Sequence, residues 1–183
     1  MTPSRYDDEL WELVPDEPGP PPEALRQFVR SLGGVERALD LGCGDGRLTS
    51  ELDAKELTAA DVSPVALARA ARRVPDARTV ELEPDAVLPF DDGSFDLVLC
   101  TETIEHVRDV QLFLSEIRRV LRPGGTLALT TPANLPVGPR PDPLSPHLRF
   151  LSRHSLRHLL DEMGFELASL HRRSGTLLAL ATR

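Results

Sequence analysis

The chain has 183 residues, a formal net charge of −8 and 40% apolar side chains. This composition suits one compact core over residues 1–183 and speaks against a protein whose affinity comes from neutralising phosphates. Its two cysteines, Cys43 and Cys100, cannot build a disulfide framework, and no charged-then-apolar leader or long apolar run appears, so a soluble, cytoplasmic protein is expected.

Residues 1–35 hold the single Tyr and Trp, Tyr6 and Trp11, and a proline-rich stretch at 15–22. Proline lacks an amide donor, so this stretch reads as a loop, and the segment either as a cover over the ligand site of the core that follows at 36–183 or as a tail packed on that core. A first strand is expected at 37–41 and a second ending in Glu-Leu-Thr-Ala-Ala-Asp at Asp61. Ser63 then offers an N-cap with Pro64 at the first helical position. Further strands are expected near 78–82, 95–100 and 125–131. Between the last two, apolar positions 110, 113, 114, 117 and 121 recur at helical spacing, and Pro123-Gly124 stops that helix. A second proline-rich loop covers 132–149. Ser152–Met163 carries Leu156, Leu159, Leu160 and Met163 on one helical face and ends at Gly164, with His154 and His158 on its surface. Segments 165–172 and 175–182 flank Ser174-Gly175 as a hairpin, with His171 facing solvent. Alternating strands and helices imply an α/β fold whose mostly parallel sheet is covered on both faces.

The densest signal is Ala-Leu-Asp-Leu-Gly-Cys-Gly-Asp-Gly-Arg-Leu-Thr at 38–49, an apolar strand running into three alternating glycines. Without a Cβ, Gly42, Gly44 and Gly46 let the chain turn sharply and let a ligand approach the backbone. Asp40 and Asp45 add charge beside that turn. The dinucleotide fingerprint requires glycine at position 47, where this chain has Arg47, and no Gly-Lys-Ser/Thr follows to make a Walker loop. Asp61 lies nineteen residues after Gly42, the place from which an acid at the end of a second strand accepts both ribose hydroxyls.

With these residues the chain resembles the class I S-adenosylmethionine-dependent methyltransferases. Two further stretches carry the resemblance: Val-Glu-Leu-Glu-Pro-Asp-Ala through Leu-Pro-Phe-Asp-Asp-Gly-Ser-Phe-Asp-Leu-Val at 80–98, and Leu-Arg-Pro-Gly-Gly-Thr-Leu at 121–127. The resemblance implies a Rossmann-like, doubly wound, seven-stranded sheet with a C-terminal antiparallel hairpin, and S-adenosylmethionine as cofactor. It sets Gly42, Gly44 and Gly46 against the methionine moiety, Asp40 at its amino end and Asp61 on the ribose. Val62 then lies beside the adenine, Asp85 with Ala86 at the adenine amino group, and Thr101 at the face next to the transferred methyl.

Thr101-Glu102-Thr103-Ile104-Glu105-His106 follows the fourth strand. On a helical turn, residues three and four apart share a face, so Glu102, Glu105 and His106 could converge on one ion, and two carboxylates with an imidazole suit Mg²⁺ or Mn²⁺. This E-x-x-E-H motif resembles that of ubiquinone-pathway catechol O-methyltransferases and of small-RNA 3′-terminal 2′-O-methyltransferases, and His147 resembles the second histidine of the RNA enzymes. The metal-free alternative makes His106 the base, with the glutamates lining and supporting the pocket, and leaves Cys100 as a packing residue. The expected function is in-line methyl transfer to a small molecule, to oxygen rather than nitrogen or carbon. The alternatives are a metal-dependent RNA-terminal methyltransferase, disfavoured by the acidic balance, and a non-catalytic cofactor-binding subunit.

Overall fold

The computed structural model describes residues 8, 9, 11–133 and 148–183. Tyr6, His147 and most of the second proline-rich loop therefore lie outside the described residues. In chain order the elements are α1 (Glu23–Arg30), β1 (Val35–Leu41), a 3₁₀ turn (Thr49–Glu51), β2 (Ala54–Asp61), α2 (Pro64–Arg73), β3 (Arg78–Glu81) and β4 (Phe95–Thr101). They continue with α3 (Val110–Val120), β5 (Leu121–Pro132), α4 (Arg153–Glu162), β6 (Glu166–Arg173) and β7 (Thr176–Thr182).

Seven strands form one sheet in the order β3-β2-β1-β4-β5-β7-β6. Neighbours from β3 to β5 are parallel. β7 enters antiparallel between β5 and β6, so the hairpin closes the sheet through its second strand. The order reverses direction at β1/β4, the switch point at which open α/β sheets leave a crevice outside the carboxyl ends of their strands.

Side-chain alternation along the strands builds two cores. Leu39, Leu41, Val98, Cys100, Leu127 and Leu129 face α3 and α4, which contribute Leu114, Ile117, Leu156 and Leu160. Ala38, Leu97, Leu99 and Ala128 face Val29 of α1, and Ala59 packs on Leu67 and Ala70 of α2. The helix α2 starts at the predicted cap, Ser63 Oγ accepting from Ala66 N with Pro64 at the first position, and α4 is capped by Ser152, whose Oγ accepts from Ser155 N.

The largest boundary difference is at β5, which begins at Leu121 rather than near 125 because Leu121 pairs with Phe95 ahead of an irregularity before Leu97. The helix α3 accordingly ends at Val120, one residue short of the periodic pattern, with Leu121 already extended. No helix among the described residues is long and apolar enough to cross a membrane.

Candidate active site

The carboxyl ends of β1, β2, β4 and β5 meet at the switch point. β1 ends in the glycine turn, where Gly42, Gly44 and Gly46 have φ of 77°, 54° and 79°, values that a side chain resists. A Cβ at Gly42 would collide with the Thr103 side chain, and one at Gly44 would come within 2.6 Å of the Trp11 ring. The turn is therefore packed on the β4 side by Thr103 and covered by the N-terminal segment. That segment is latched to α2 and the turn: Ser63 Oγ donates to Asp8 Oδ1 at 2.5 Å, Arg69 donates to the Val14 carbonyl at 2.9 Å and pairs with Asp16, and Arg47 donates to the Gly19 carbonyl at 2.8 Å.

Two buried acids flank the turn. Asp40 is 1% exposed; its Oδ2 accepts from Thr49 Oγ1 at 2.6 Å, while Oδ1 has no partner. Burial, against the Thr49 hydrogen bond, pushes its pKa up to about 7. An orphaned, buried carboxylate oxygen beside a glycine turn fits a ligand ammonium. Asp61, 8% exposed, accepts from Gly44 N at 2.8 Å and Ser63 N at 2.9 Å. Each of its oxygens keeps a second lone pair, and burial raises its pKa despite the amide hydrogen bonds. Val62 follows at the mouth. Asp85 sits at φ 55° in the loop after β3, with Arg108 Nη1 3.6 Å from its Oδ2, and Ala86 beside it is exposed.

The β4 terminus forms the opposite wall. Thr101 is 8% exposed, and its carbonyl accepts from Thr103 Oγ1 at 2.9 Å. Glu102 takes φ 50°, and its Oε1 accepts from Thr130 Oγ1 at 2.9 Å. Glu105 is fully buried; its Oε2 accepts from Thr131 Oγ1 at 3.0 Å, and Oε1 is orphaned. Burial pushes the Glu105 pKa up to about 7, with Glu102 repulsion adding to it; burial also raises Glu102. His106 Nε2 lies 4.0 Å from Glu105 Oε1, with its side chain 37% exposed.

Thr130 and Thr131 are consecutive strand residues, so their side chains leave opposite faces of β5 and hold Glu102 and Glu105 apart. The three side chains of E-x-x-E-H do not form one cluster: no three His, Cys, Asp or Glu side chains among the described residues could hold a metal ion. The expected helical turn over 102–106 is broken at Glu102, which sits in a left-handed backbone state with its carboxylate held by Thr130.

A family model described as a methyltransferase domain matches residues 39–129. A protein of Synechocystis sp. named "uncharacterized methyltransferase" is 35% identical over 156 residues, covering 76% of this chain and 71% of that protein. One of Mycolicibacterium smegmatis named "probable S-adenosylmethionine-dependent methyltransferase" is 38% identical over 136 residues, covering 70% of this chain and 51% of that protein. The chain belongs to the S-adenosylmethionine-dependent methyltransferase family. It spans about half the length of the first curated relatives it matches. A solved S-adenosylmethionine-dependent methyltransferase from Mesorhizobium loti shares the fold, with a TM-score of 0.68, 21% identity and coverage of 88% of this chain and 96% of that one.

Several residues that shape this methyltransferase site escaped the sequence reading. Thr49, Thr130 and Thr131 hold the three acids, and only the paired threonines before Pro132 carried any signal, as polar residues ending an apolar strand. Arg149 clamps the post-β4 turn by donating to the carbonyls of Ile104, Val107 and Arg108. Leu148 N adds a bond to the Glu105 carbonyl at 2.8 Å. His154, His158 and His171 are exposed, as expected.

Proposed function

We propose that this domain transfers the methyl group of S-adenosylmethionine to an oxygen of a small-molecule acceptor. The observation that carries the reading is the orphaned Oδ1 of buried Asp40 beside a glycine turn that no side chain could replace. That combination costs stability in the free protein and is returned by a cationic, flat-lying ligand. The cofactor's sulfonium supplies an already activated methyl.

The chain's own residues bind and align. Gly42, Gly44 and Gly46 lie along the methionine moiety, Asp40 holds its ammonium, and Asp61 accepts from the ribose hydroxyls. Val62 and Ala86 flank the adenine and Asp85 accepts from its amino group, with Thr101 at the floor below the reacting methyl. Trp11 and the latched N-terminal segment exclude water.

On the acceptor side His106 takes the hydroxyl proton as the oxygen–carbon bond forms and the carbon–sulfur bond breaks, leaving a neutral thioether. Glu105 stabilises the resulting imidazolium through its orphaned Oε1, and Glu102 borders the acceptor. Orientation supplies roughly 7–11 kcal/mol of such a barrier and one general base roughly 3–5 kcal/mol, so positioning dominates. Asp61→Ala should abolish measurable S-adenosylhomocysteine binding by calorimetry, while His106→Ala keeps binding and a residual transfer rate. Unchanged affinity in the Asp61 variant overturns the assignment.

Among the described residues no three His, Cys, Asp or Glu side chains are grouped to hold an ion, which supports the metal-free reading over the Mg²⁺- or Mn²⁺-dependent RNA-terminal one; His147 lies outside the described residues. A net charge of −8 supports a small-molecule partner over nucleic acid.

A further inference from the structure

Beside the Glu105–His106 turn lies a cleft of about 610 Å³, within the range of roughly 300–1,000 Å³ typical of small-molecule sites. Val110, Leu151 and Leu159 line it with apolar surface, and Arg108, Arg149 and Gln111 line it with polar groups. Two guanidiniums on one cleft stand out in a chain of net charge −8.

Their charge is not cancelled locally. Arg149 is half-buried, and its donors go to carbonyls: Nη1 to Ile104 and Val107, Nη2 to Arg108. Carbonyl oxygens orient a guanidinium without neutralising it, and among the described residues Nε and the second Nη2 hydrogen have no acceptor. No carboxylate among the described residues pairs with Arg149, and burial alone lowers its pKa. Arg108 approaches Asp85 only at 3.6 Å, with its side chain 62% exposed, a loose surface pair. Asp109 also lines the cleft, its Oδ1 accepting from Leu112 N at 2.9 Å at the start of α3, so two guanidiniums face a single carboxylate there and the balance stays positive. The Arg149 clamp also fixes the cleft against His106, because the carbonyls it holds lie on both sides of Glu105 and His106.

We propose that this cleft binds the acidic end of the methyl acceptor: a small amphipathic hydroxy acid whose apolar body lies on Val110, Leu151 and Leu159 and whose carboxylate or phosphate meets Arg149 and Arg108. The assignment rests on the methyl-transfer reading for the role of the bound acid as acceptor, and on the cleft alone for acid binding.

The test uses the full chain saturated with S-adenosylhomocysteine, titrated with 3-phenylpropionate, phenyl phosphate and the neutral 3-phenylpropionamide, with binding followed by protein-observed NMR. At least one acid should bind tenfold or more tighter than the amide, and weaken as salt is raised. Tighter phenyl phosphate assigns phosphate monoesters and tighter 3-phenylpropionate assigns carboxylic acids. Arg149→Gln should remove most of the acid's advantage. Because that variant also loosens the turn, Arg108→Gln, at an exposed position, provides the second reading and should reduce the advantage about five-fold. Equal binding of acid and amide, or an advantage unchanged in Arg108→Gln, overturns the proposal. Failure of the protein to bind S-adenosylhomocysteine in the preceding step would instead overturn the methyl-transfer reading and leave the acid titration interpretable.

Discussion

Asp40→Asn should make the free protein more stable at pH 8 while weakening cofactor binding. Asp40 has its pKa pushed from 3.8 up to about 7 by burial. Between those values the folded state holds a proton that the unfolded chain has lost, so raising the pH removes the proton from the native state alone and stability falls. The contribution is greatest near pH 4, declines through pH 7 and is flat above it. At 1.36 kcal/mol per unit, the shift amounts to about 4 kcal/mol, a large part of the roughly 5–15 kcal/mol available to a domain. Glu105, pushed from 4.5 up to about 7, acts in the same direction. Glu51, Asp96 and Glu116 have lowered values from arginine pairing and act oppositely, their stabilisation lost only as pH falls toward and below 4.

Asparagine keeps an oxygen to accept from Thr49 and carries no charge to desolvate. Urea midpoints from pH 5 to 8.5 at constant m should therefore show a declining wild-type curve and, in the variant, a slope cut by about half, with the variant ahead by roughly 2–4 kcal/mol at pH 8. Calorimetry at pH 8 should show S-adenosylhomocysteine affinity down at least tenfold, because the ligand ammonium loses its counter-charge. Parallel slopes in the two proteins, or a variant less stable than wild type at pH 8, would show that the Asp40 carboxylate does not carry the pH dependence.

Gly42→Ala places a side chain at φ 77° against Thr103 and should lower stability by about 2–4 kcal/mol, read as a urea midpoint, with cofactor binding lost. Arg119→Met strips buried Glu116 of its cation, leaving only the Leu88 amide on it, and strips the Leu88 and Phe90 carbonyls of their donor; a loss of about 3–5 kcal/mol is expected in chemical denaturation. Trp11 is the only tryptophan and its ring lies on Gly44, so S-adenosylhomocysteine should change the intrinsic tryptophan emission saturably; a silent titration would contradict the covering role of the N-terminal segment.

The elements were legible wherever one periodicity or cap decided them. Ser63-Pro64 and Ser152 start helices because a hydroxyl cap and a ring with no N–H serve a helix N-terminus wherever they stand. The mostly parallel sheet followed from the alternation of strands and helices, and the glycine turn from three glycines spaced two apart, all of which take positive φ. The acceptor wall was not legible, since it depends on a backbone state at Glu102 that glutamate seldom adopts and on contacts between residues 26 and 28 positions apart. A helical reading of Glu102 to His106 follows from local spacing. Thr130 and Thr131 override it with one hydrogen bond on each face of a strand.

The free energy that the fold forgoes is gathered at one end of the sheet. Among the described residues, two of the three non-glycine positive-φ residues, Asp85 and Glu102, lie there. So do three of the four buried side-chain atoms without a hydrogen-bond partner, Asp40 Oδ1, Asp45 Oδ2 and Glu105 Oε1, and the two acids whose pKa values reach about 7. Elsewhere comparable groups are paired: Glu51 with Arg26 and Arg30, Asp96 with Arg122, Glu116 with Arg119. Ordinary selection for stability would remove orphaned carboxylates by truncation or by a nearby arginine. Leaving Asp40 Oδ1 and Glu105 Oε1 without hydrogen-bond partners makes stability of the free protein, on the function proposed above, the quantity exchanged for binding. The Asp40→Asn comparison measures that exchange directly, because one substitution moves the two quantities in opposite directions.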